Sequence, residues 1–556
     1  MPRLHTVDEL LASLPHTLKT LTCDEDLEQY IISQRSQGIP VLPHLRTLND
    51  VSVSVTENEE RDKERNVRKV MRELWKYAGT YRIVSESQMD EENIWYINDE
   101  IGSLMKHSDQ PNFAMHPFIY APNNKIDDPL TITYSICWPV KDIVEGDVIY
   151  RDFLKGYTEE KFRSTRFSVW FNTPPEYFEE QLKIYRSFKP IEDAMTAHQR
   201  FQEKYPPISP IDVNGVNSLP IKVYSDYIQV VENLKDPARY VLSDTPQDAL
   251  IFWSSLDYYS ITQVQVAHMV DETTFYLNQF QFEAAYVAKH HLANLIRSSF
   301  TYPLTEIIQE TFVLDESLPA FVGRFQEREK LALDNTWILK PTNMARSMDS
   351  WVTSNLDQIL RVSESGPKIA QKYIHNPCLF RGKKFDMRFV VLVKSVLPLE
   401  VLIYQEFYTR HSNNLFQMDE SSFSTYETHF TVMNYSEGVK LTNIRYYDFE
   451  QEFNLENEGK IQFAEVRDRI HNAIKQVFVA FQVKHGKDLE ALPGEASRRC
   501  RAMYGVDVMI TDDYQPKILE VTFQPDCGRA CKFNPSFFNE VFGCLYFNDE
   551  KNMIRI

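Results

Sequence analysis

Two short strand patterns near the C-terminal end, 506–510 and 518–523, hold the first residues that could do chemistry. Successive strand residues point to opposite faces, so Asp507 shares a face with Met509, and Glu520 shares one with Thr522. Paired as a hairpin, the strands would present both carboxylates together. Mg²⁺ binds through one or two carboxylates plus substrate phosphates, so the pattern indicates a magnesium site. The alternative is an edge hairpin whose acids are solvated.

A second strand pattern, 384–393, carries charges on one face. Lys384, Asp386 and Arg388 alternate there with Phe385, Met387 and Phe389. Upstream, the apolar strand pattern 337–341 contains Lys340, a point charge suited to phosphate. If these charges line one cleft beside the acidic hairpin, three cations and a metal platform would clamp a triphosphate.

The motifs follow one another in an order that resembles the ATP-grasp core of the tubulin tyrosine ligase-like family. They are WILKP at 337–341, QKYI at 371–374, KFDMR at 384–388, HFT at 429–431, YGVDVMI at 504–510 and LEVTFQP at 519–525. The resemblance runs from about 277 to 542. It implies a ligase fold in which ATP activates a carboxylate as an acyl phosphate, which an amine then attacks.

The resemblance also implies a role for each matched residue. In an active ligase the catalytic residues would be Arg388, Asp386 and Arg410. ATP would be bound by Lys340, Gln371, Lys372, Tyr373, Ile374, Lys384 and Thr431. Magnesium would be held by Asp507 and Glu520, with Thr522 as a further oxygen donor.

Three departures from the family pattern indicate impaired chemistry. The loop 342–349 has no glycine, although a bare backbone is what closes over phosphates, and it places Asp349 near the triphosphate. The family's EVN metal motif reads Glu520, Val521, Thr522, which replaces an amide oxygen by a weaker hydroxyl ligand. The HLTN phrase ends in Val432 instead of asparagine. We therefore expect a ligase fold with impaired or absent ligase chemistry; the alternative is an active ATP-dependent amino-acid ligase that modifies tubulin.

The stretch from about 75 to 153 has short strand patterns rich in aromatic and β-branched residues. Its phrases 107–112 and 138–153 resemble the paired C-terminal signature of a SET domain, the lysine methyltransferase fold. Lys106 stands where that family has asparagine, and Phe153 stands where it has tyrosine. A cation beside the sulfonium and a lost hydroxyl would impair methyl transfer, so S-adenosylmethionine is not expected. The alternatives are a β-rich domain of another kind and an active methyltransferase.

These readings predict an α+β multidomain protein, a mainly-β SET-like domain followed by an α/β ATP-grasp domain. The predicted boundaries are 1–56 for an appendage resembling a leucine-rich-repeat cap, 57–205 for the SET-like domain with C-terminal helices, 206–218 for a proline-rich linker and 219–556 for the ligase-like domain. Within the last, 219–330 precedes the ATP-grasp core at 331–556. The aromatic-rich segment 531–546 is predicted to be a docked C-terminal helix.

Composition narrows the function classes. The chain has 556 residues and a formal charge of −19, which argues against general nucleic-acid binding. It has 16 glycines and neither a P-loop nor a GxGxxG motif, so other common nucleotide sites are not expected. Seven scattered cysteines suit reduced thiols. The N-terminus has no apolar signal-peptide region, and no apolar run reaches 18 residues, so neither secretion nor a membrane span is expected.

The resemblance implies tubulin or microtubules as partner and a role in tyrosination, detyrosination or glutamylation of the tubulin C-terminus. It further implies histone H4 lysine methylation and chromatin-associated partners, mitosis and RNA-sensor signalling. The implied compartments are the cytoplasm and, second, the nucleus, centrosome or midbody; we expect a monomer. An acidic tubulin tail needs a local basic groove on this acidic chain. Arg381, Lys383, Lys384 and Arg388 are the candidates.

Overall fold

The structure, a computed structural model, describes most of the chain beyond residue 69. The described residues are 70, 73–84, 91–98, 100–120, 132–188, 193–211, 219–256, 276–301, 304–342, 349–431, 444–492 and 497–556. The predicted appendage at 1–56 lies outside them, as do residues 343–348 of the glycine-free loop and Val432.

The first half of the described chain alternates short strands and helices. The strands are β1 (Ala78–Val84), β2 (Glu91–Ile97), β3 (Lys106–His107), β4 (Phe113–Tyr120), β5 (Ile132–Pro139), β6 (Tyr150–Arg151), β7 (Ile221–Ser225), β8 (Tyr240–Leu242), β9 (Ile251–Trp253) and β10 (Tyr276–Leu277). The helices are α1 (Glu100–Leu104), α2 (Glu160–Phe167), α3 (Pro175–Arg186), α4 (Ala194–Lys204), α5 (Ile228–Asn233), α6 (Ala284–Val287) and α7 (Lys289–Ser299).

The second half contains the longer elements. The strands are β11 (Thr311–Val313), β12 (Trp337–Pro341), β13 (Trp351–Thr353), β14 (Lys368–Lys372), β15 (Leu379–Phe380), β16 (Lys383–Val396), β17 (Leu399–Tyr404), β18 (Tyr408–His411), β19 (Ala502–Ile510), β20 (Pro516–Phe523) and β21 (Met553–Arg555). The helices are α8 (Leu314–Lys330), α9 (Leu356–Val362), α10 (Tyr426–His429), α11 (Tyr446–Glu456), α12 (Phe463–Glu490), α13 (Gly528–Phe533) and α14 (Phe537–Phe547). Among the described residues no helix combines the length and the apolar character that crossing a bilayer requires.

The chain divides into two compact units that do not follow the sequence order. The described residues of the first unit fall within Met1–Tyr185, Val313–Pro341 and Met348–Ala370. Those of the second unit fall within Arg186–Phe312, Thr342–Ser347 and Gln371–Ile556. The domain boundaries drawn from the sequence stay a prediction.

The first unit is rich in small sheets, as its strand patterns indicate. Strands β1 and β2 pair antiparallel, β4 and β5 pair antiparallel, and β3 and β6 pair parallel. Most of a four-stranded sheet, in the order β11-β14-β12-β13, also belongs to this unit. The predicted β-rich character of 75–153 is therefore confirmed.

The second unit is built on a large antiparallel sheet with the strand order β20-β19-β16-β17-β21. Strand β16 is its longest strand and is buried along nearly its whole length. From Phe385 to Val393 its odd-numbered residues join the main hydrophobic core, which also contains the buried face of α12. Val390 and Leu392 point to a second core with α14. Two cores therefore hold one strand, and they fix the direction of every side chain on it.

A smaller parallel sheet, in the order β10-β9-β7-β8, shares the second core with α14. The predicted C-terminal helix is confirmed in place but is split into α13 and α14. The described part of the predicted linker, 206–211, packs instead of running free. Ile208 and Ile211 are buried, and their backbone N–H groups donate to Glu400 and to the carbonyl oxygen of Tyr546.

One glycine inside a helix is required by packing in the first unit. A Cβ at Gly323 of α8 would lie 2.8 Å from the carbonyl carbon of Phe178 and 3.1 Å from Cβ of Leu182, both in α3. Backbone cannot move aside as a flexible side chain can. The helices thus approach each other only because residue 323 has no side chain.

We expect G323A to lower the free energy of unfolding by about 1–3 kcal/mol, because overpacking outweighs the gain in helix propensity. Chemical denaturation of the full chain measures it. The control is G543A in α14, whose new Cβ would meet the mobile end of Arg239 at 3.3 Å. That variant should be neutral or slightly stabilising; equal losses in both variants would contradict the packing argument.

Candidate functional site

Sheet register brings the predicted site residues of the second unit into one row. Asp507 on β19 lies opposite Glu520 on β20 and opposite Arg388 on β16. Asp386 on β16 lies opposite Arg410 on β18. The predicted hairpin is confirmed, with a register shift just after Asp507. Four neighbouring strands thus position three carboxylates and two guanidinium groups side by side.

The four charged groups form one buried ion-pair cluster. Arg388 binds Asp507 with both prongs of its guanidinium group, and Nη2 lies 2.8 Å from Oδ2. Arg410 bridges the acids, since its Nη2 lies 2.6 Å from both Asp507 Oδ2 and Asp386 Oδ1. The second oxygen of Asp386 accepts from the Thr431 hydroxyl. We call Asp386, Arg388, Arg410 and Asp507 the ionic cluster.

The pKa values of the two acids respond differently to this arrangement. Burial alone raises the pKa of Asp507, but Arg388 and Arg410 outweigh it and hold that pKa well below its ordinary value. Burial and the nearby charge of Asp507 raise the pKa of Asp386 despite Arg410. Asp507 is therefore the permanent anion of the cluster, and its charge is already balanced by two cations.

The remaining predicted metal ligands lie on β20. The Oε2 atom of Glu520 lies 3.7 Å from Nζ of Lys289 at the start of α7, and both side chains are partly exposed. Thr522 is partly exposed on the same strand, opposite Gly505. The hairpin therefore presents two carboxylates. The charge of Asp507 is balanced by two arginines, and Glu520 lies beside a lysine.

Gly505 is required by the ionic cluster, and the sequence reading missed it. A Cβ there would lie 2.7 Å from Cβ of Pro525 and 3.0 Å from Cδ of Arg388. The available signal was a glycine inside a strand, which often marks a close approach by another group. Its absent side chain leaves room for the Arg388 stem.

The predicted adenine segment is buried beside Lys384. The Nζ atom of Lys384 lies 2.7 Å from the Tyr373 hydroxyl and 4.1 Å from the centre of its ring. The same hydroxyl lies 2.8 Å from Nδ1 of His429, whose Nε2 lies 3.0 Å from Oγ of Ser422. His429 therefore helps to hold the Tyr373 hydroxyl in place.

The neighbouring residues of that segment are also held inside the protein. The side-chain amide of Gln371 donates to the Thr311 hydroxyl at 3.0 Å. Lys372 and Ile374 are buried. A nucleotide base that approached this segment would therefore contact side chains that are already buried and closely packed.

Lys340 and Asp349 belong to the first unit. Lys340 is a partly exposed residue between buried Leu339 and Pro341 on β12. The carboxylate of Asp349 lies 2.5 Å from Nζ of buried Lys368 and accepts from the side chains of Asn93 and Trp351. The charge of Asp349 is therefore neutralised inside this unit. That the glycine-free loop binds ATP poorly stays a prediction.

The four residues proposed as a basic groove do not form a basic surface. Arg381 is exposed but binds Glu452, and Lys383 donates to the carbonyl oxygen of Asn413. Lys384 and Arg388 are buried in the contacts described above. That part of the prediction is wrong, because strand alternation separates Lys383 from Lys384 and the buried pair already has partners.

The SET-like phrases also come together, within the first unit. Lys106 and His107 on β3 pair in parallel with Tyr150 and Arg151 on β6, and Asn112 accepts from the Tyr150 N–H at 2.8 Å. The ring of Phe153 packs between other aromatic rings. At this position there is no hydroxyl that could guide an amine.

Comparison with known proteins gives the same two-part organisation. Residues 264–546 match the family described as "Tubulin-tyrosine ligase family", and residues 29–174 match "Tubulin tyrosine ligase SET-like domain". The chain is 35% identical to human "Tubulin--tyrosine ligase-like protein 12" over 86% of this chain and 73% of that protein. The mouse protein of that name is 34% identical over 87% and 74%. The Tetrahymena thermophila "Probable alpha-tubulin polyglutamylase Ttll1" is 25% identical over 44% of this chain and 60% of that protein. The predicted combination of a SET-like and an ATP-grasp-type domain is therefore confirmed.

Replacement of Asp507 should show how strongly the ionic cluster depends on it. We expect D507N to destabilise the protein by about 3–5 kcal/mol, because it leaves buried arginine charge uncompensated. E520Q removes an acid from a partly exposed pair and should cost less than about 1 kcal/mol. Denaturant unfolding of both variants makes the comparison. Similar small losses would mean that Asp507 is not the structural anion.

The buried histidines should make stability depend on pH. Burial, reinforced by Lys384, lowers the pKa of His429 to about 4. An unfolded histidine titrates near pH 6.5, so the unfolded state takes up this proton first and stability falls as pH drops from about 6.5 to 4. H429Q should flatten this part of the profile measured by urea unfolding. His471, with a pKa also lowered to about 4 by burial, remains as the internal comparison; an unchanged slope would contradict the assignment.

Proposed function

The chain belongs to the tubulin-tyrosine ligase family, and from this premise we propose that it binds tubulin through a ligase fold whose own ligase chemistry is impaired. Its role is then to influence the tyrosination, detyrosination or glutamylation that active enzymes carry out on the tubulin C-terminus. The observation that supports this proposal most strongly is that Arg388 and Arg410 already balance the negative charge of Asp507.

Magnesium, which the resemblance to ATP-grasp ligases implies, does not fit the donor set of the hairpin. To reach Asp507, the ion would have to displace two guanidinium groups from a buried carboxylate. Glu520 has the cation of Lys289 at 3.7 Å. Thr522 offers a hydroxyl, a weaker ligand than an amide or carboxylate oxygen. Within the described parts of the chain, no group of three acidic, histidine or cysteine side chains could hold a metal.

The nucleotide side supports the same proposal. Lys384 would have to leave the Tyr373 hydroxyl to reach a phosphate, and Asp386 is occupied by Arg410 and Thr431. Each rearrangement removes a buried charged group from its partner, which costs free energy that binding must supply. ATP affinity should therefore be low even though the matched residues are retained.

Tubulin is proposed as the partner because of family membership. The relative "Probable alpha-tubulin polyglutamylase Ttll1" carries tubulin in its printed name. Since Arg381, Lys383, Lys384 and Arg388 do not form one basic surface, an acidic tail is not expected to bind along β16. Binding to tubulin should instead be independent of magnesium and nucleotide.

The test is a calorimetric titration of Mg-ATP into the full chain, together with tubulin co-sedimentation and an assay of labelled amino-acid incorporation. We expect no saturable Mg-ATP binding below millimolar concentration and no incorporation. Tubulin binding should be the same with and without Mg-ATP. It should also survive E520Q, because that variant alters only the hairpin.

T522N supplies a sharper comparison, since it restores the amide of the family's EVN motif. If the weak donor limits metal binding, this variant should bind Mg-ATP at least threefold more tightly than the parent chain. The control is T522V, which removes the oxygen and should bind no better. Micromolar Mg-ATP binding by the parent chain, lost in a K340A and E520Q double variant, together with amino-acid incorporation, would overturn the proposal in favour of an active ligase.

A further inference from the structure

A second group of buried arginines lies in the first unit and includes Arg151 of the SET-like phrase 138–153. The Cζ atom of Arg151 lies 4.7 Å from the ring centre of Phe153, and that of Arg361 lies 4.7 Å from the ring centre of Trp170. The two rings pack against each other at 5.1 Å. Two guanidinium groups therefore flank one aromatic pair.

Arg166 on α2 completes the group. Its Cζ atom lies 4.3 Å above the ring of Tyr157, and the Tyr157 hydroxyl lies 3.5 Å from the carbonyl oxygen of Glu364. Glu364 in turn forms an ion pair with Arg361 at 2.8 Å. We call Arg151, Arg166 and Arg361 the arginine cluster.

The arginine cluster is buried, and part of its hydrogen-bonding capacity is unused. Arg166 is 2% exposed and Arg361 is 4% exposed, whereas Arg151 is partly exposed. The Nε atom of each is buried and donates to no acceptor in the described parts of the chain. Buried guanidinium groups normally have their donors satisfied, so three such atoms in one place call for an explanation.

The positive charges also outnumber the negative ones. Among the described residues, Glu364 is the one carboxylate within 4.0 Å of a cluster arginine. Asp152 is occupied by Arg163, and Asp315 near Arg166 is exposed. Three cations and one paired anion leave an excess of two positive charges, and buried charge without a partner is costly.

The pKa shifts of the surrounding groups agree with this excess of positive charge. Burial lowers the pKa of Arg151, and the neighbouring charge of Arg361 lowers it further, although Tyr96 opposes this. Burial raises the pKa of Glu364 in spite of Arg361 and Arg166. The same cause raises the pKa of Tyr157 to about 12, so its hydroxyl stays neutral. Asp152 and Asp315 act on Arg151 and Arg166 from a distance, but neither forms an ion pair with them among the described residues.

We propose that the arginine cluster is a binding site for a phosphate dianion, either free or carried as a phosphate monoester. Guanidinium groups match tetrahedral oxyanions with directed pairs of N–H donors, and a phosphate carries about two negative charges at neutral pH. The charge of the ligand thus equals the excess in the cluster. Arg151, the most exposed member, marks the side from which the anion enters.

The site draws on both matched regions of the chain. Arg151 and Arg166 lie within the SET-like match, and Arg361 lies within the ligase-family match. It does not depend on the ionic cluster of the second unit or on the proposed tubulin binding. Failure of one proposal therefore leaves the other untouched.

The experiment is calorimetric titration of inorganic phosphate into the full chain, with ionic strength held constant by sodium chloride. We expect one site per chain and a rise in the thermal unfolding midpoint with phosphate. R151M should weaken binding at least tenfold while keeping the apolar stem over Phe153. R151K keeps the positive charge but lacks the paired N–H donors of a guanidinium group, so it should weaken phosphate binding by less than R151M does. K155M removes an exposed cation of the same unit and should bind as the parent chain does.

The stability of the variants in phosphate-free buffer shows whether a loss of phosphate binding is caused by misfolding. R151M and R166M should unfold no earlier than the parent chain there, because each removes an uncompensated buried cation. Phosphate should no longer raise their unfolding midpoints. Titration with phosphoserine distinguishes the source: tighter binding than inorganic phosphate identifies a monoester ligand, and weaker binding identifies the free ion. The proposal is overturned if phosphate acts no differently from chloride, if glutamate binds instead of phosphate, or if R151M and R166M keep the parent affinity.

Discussion

The second unit depends on one carboxylate held between two arginines. Asp507 is almost fully buried, and burial of an anion is tolerated only when cations and hydrogen bonds replace water. Arg388 and Arg410 provide both. Arg410 also binds Asp386, whose other carboxylate oxygen accepts a hydrogen bond from Thr431, so the positions of these residues depend on one another. The strand β16 could not place charge in the interior without this cluster. The four residues of the ionic cluster thus neutralise one another inside the sheet.

The two faces of β16 explain how such a cluster fits inside a sheet. On one face, Phe385, Met387 and Phe389 continue into Val391 and pack against the main core. The other face is ionic from Lys384 to Arg388 and turns apolar at Val390, where the second core begins. The site is therefore the polar end of a face whose apolar end is fixed by α14. Gly505 provides the space that lets Arg388 lie flat on β19 at this junction.

Period-two alternation made much of this predictable. It located the hairpin, the long strand and the grouping of Lys384, Asp386 and Arg388 on one face, since these depend only on local geometry. It could not show which charges pair. Whether Arg388 faces a phosphate or Asp507 depends on strand register and on packing between residues more than a hundred positions apart. The pairing of Asp349 with Lys368 on β14 could not be predicted for the same reason, because it joins residues of different elements.

The two buried arginine groups lead to opposite inferences because their charges balance differently. In the ionic cluster two arginines face two carboxylates, and Arg388, Arg410 and Thr431 bind all four oxygens. A ligand there must compete with contacts that already exist. In the arginine cluster, Arg361 has Glu364, whereas Arg151 and Arg166 have no acid within ion-pair distance among the described residues. An anionic ligand there would supply the negative charge that the neighbouring side chains do not provide. Residue type and burial are the same in both places, so the number of partner acids decides which group is a structural element and which can bind an anion.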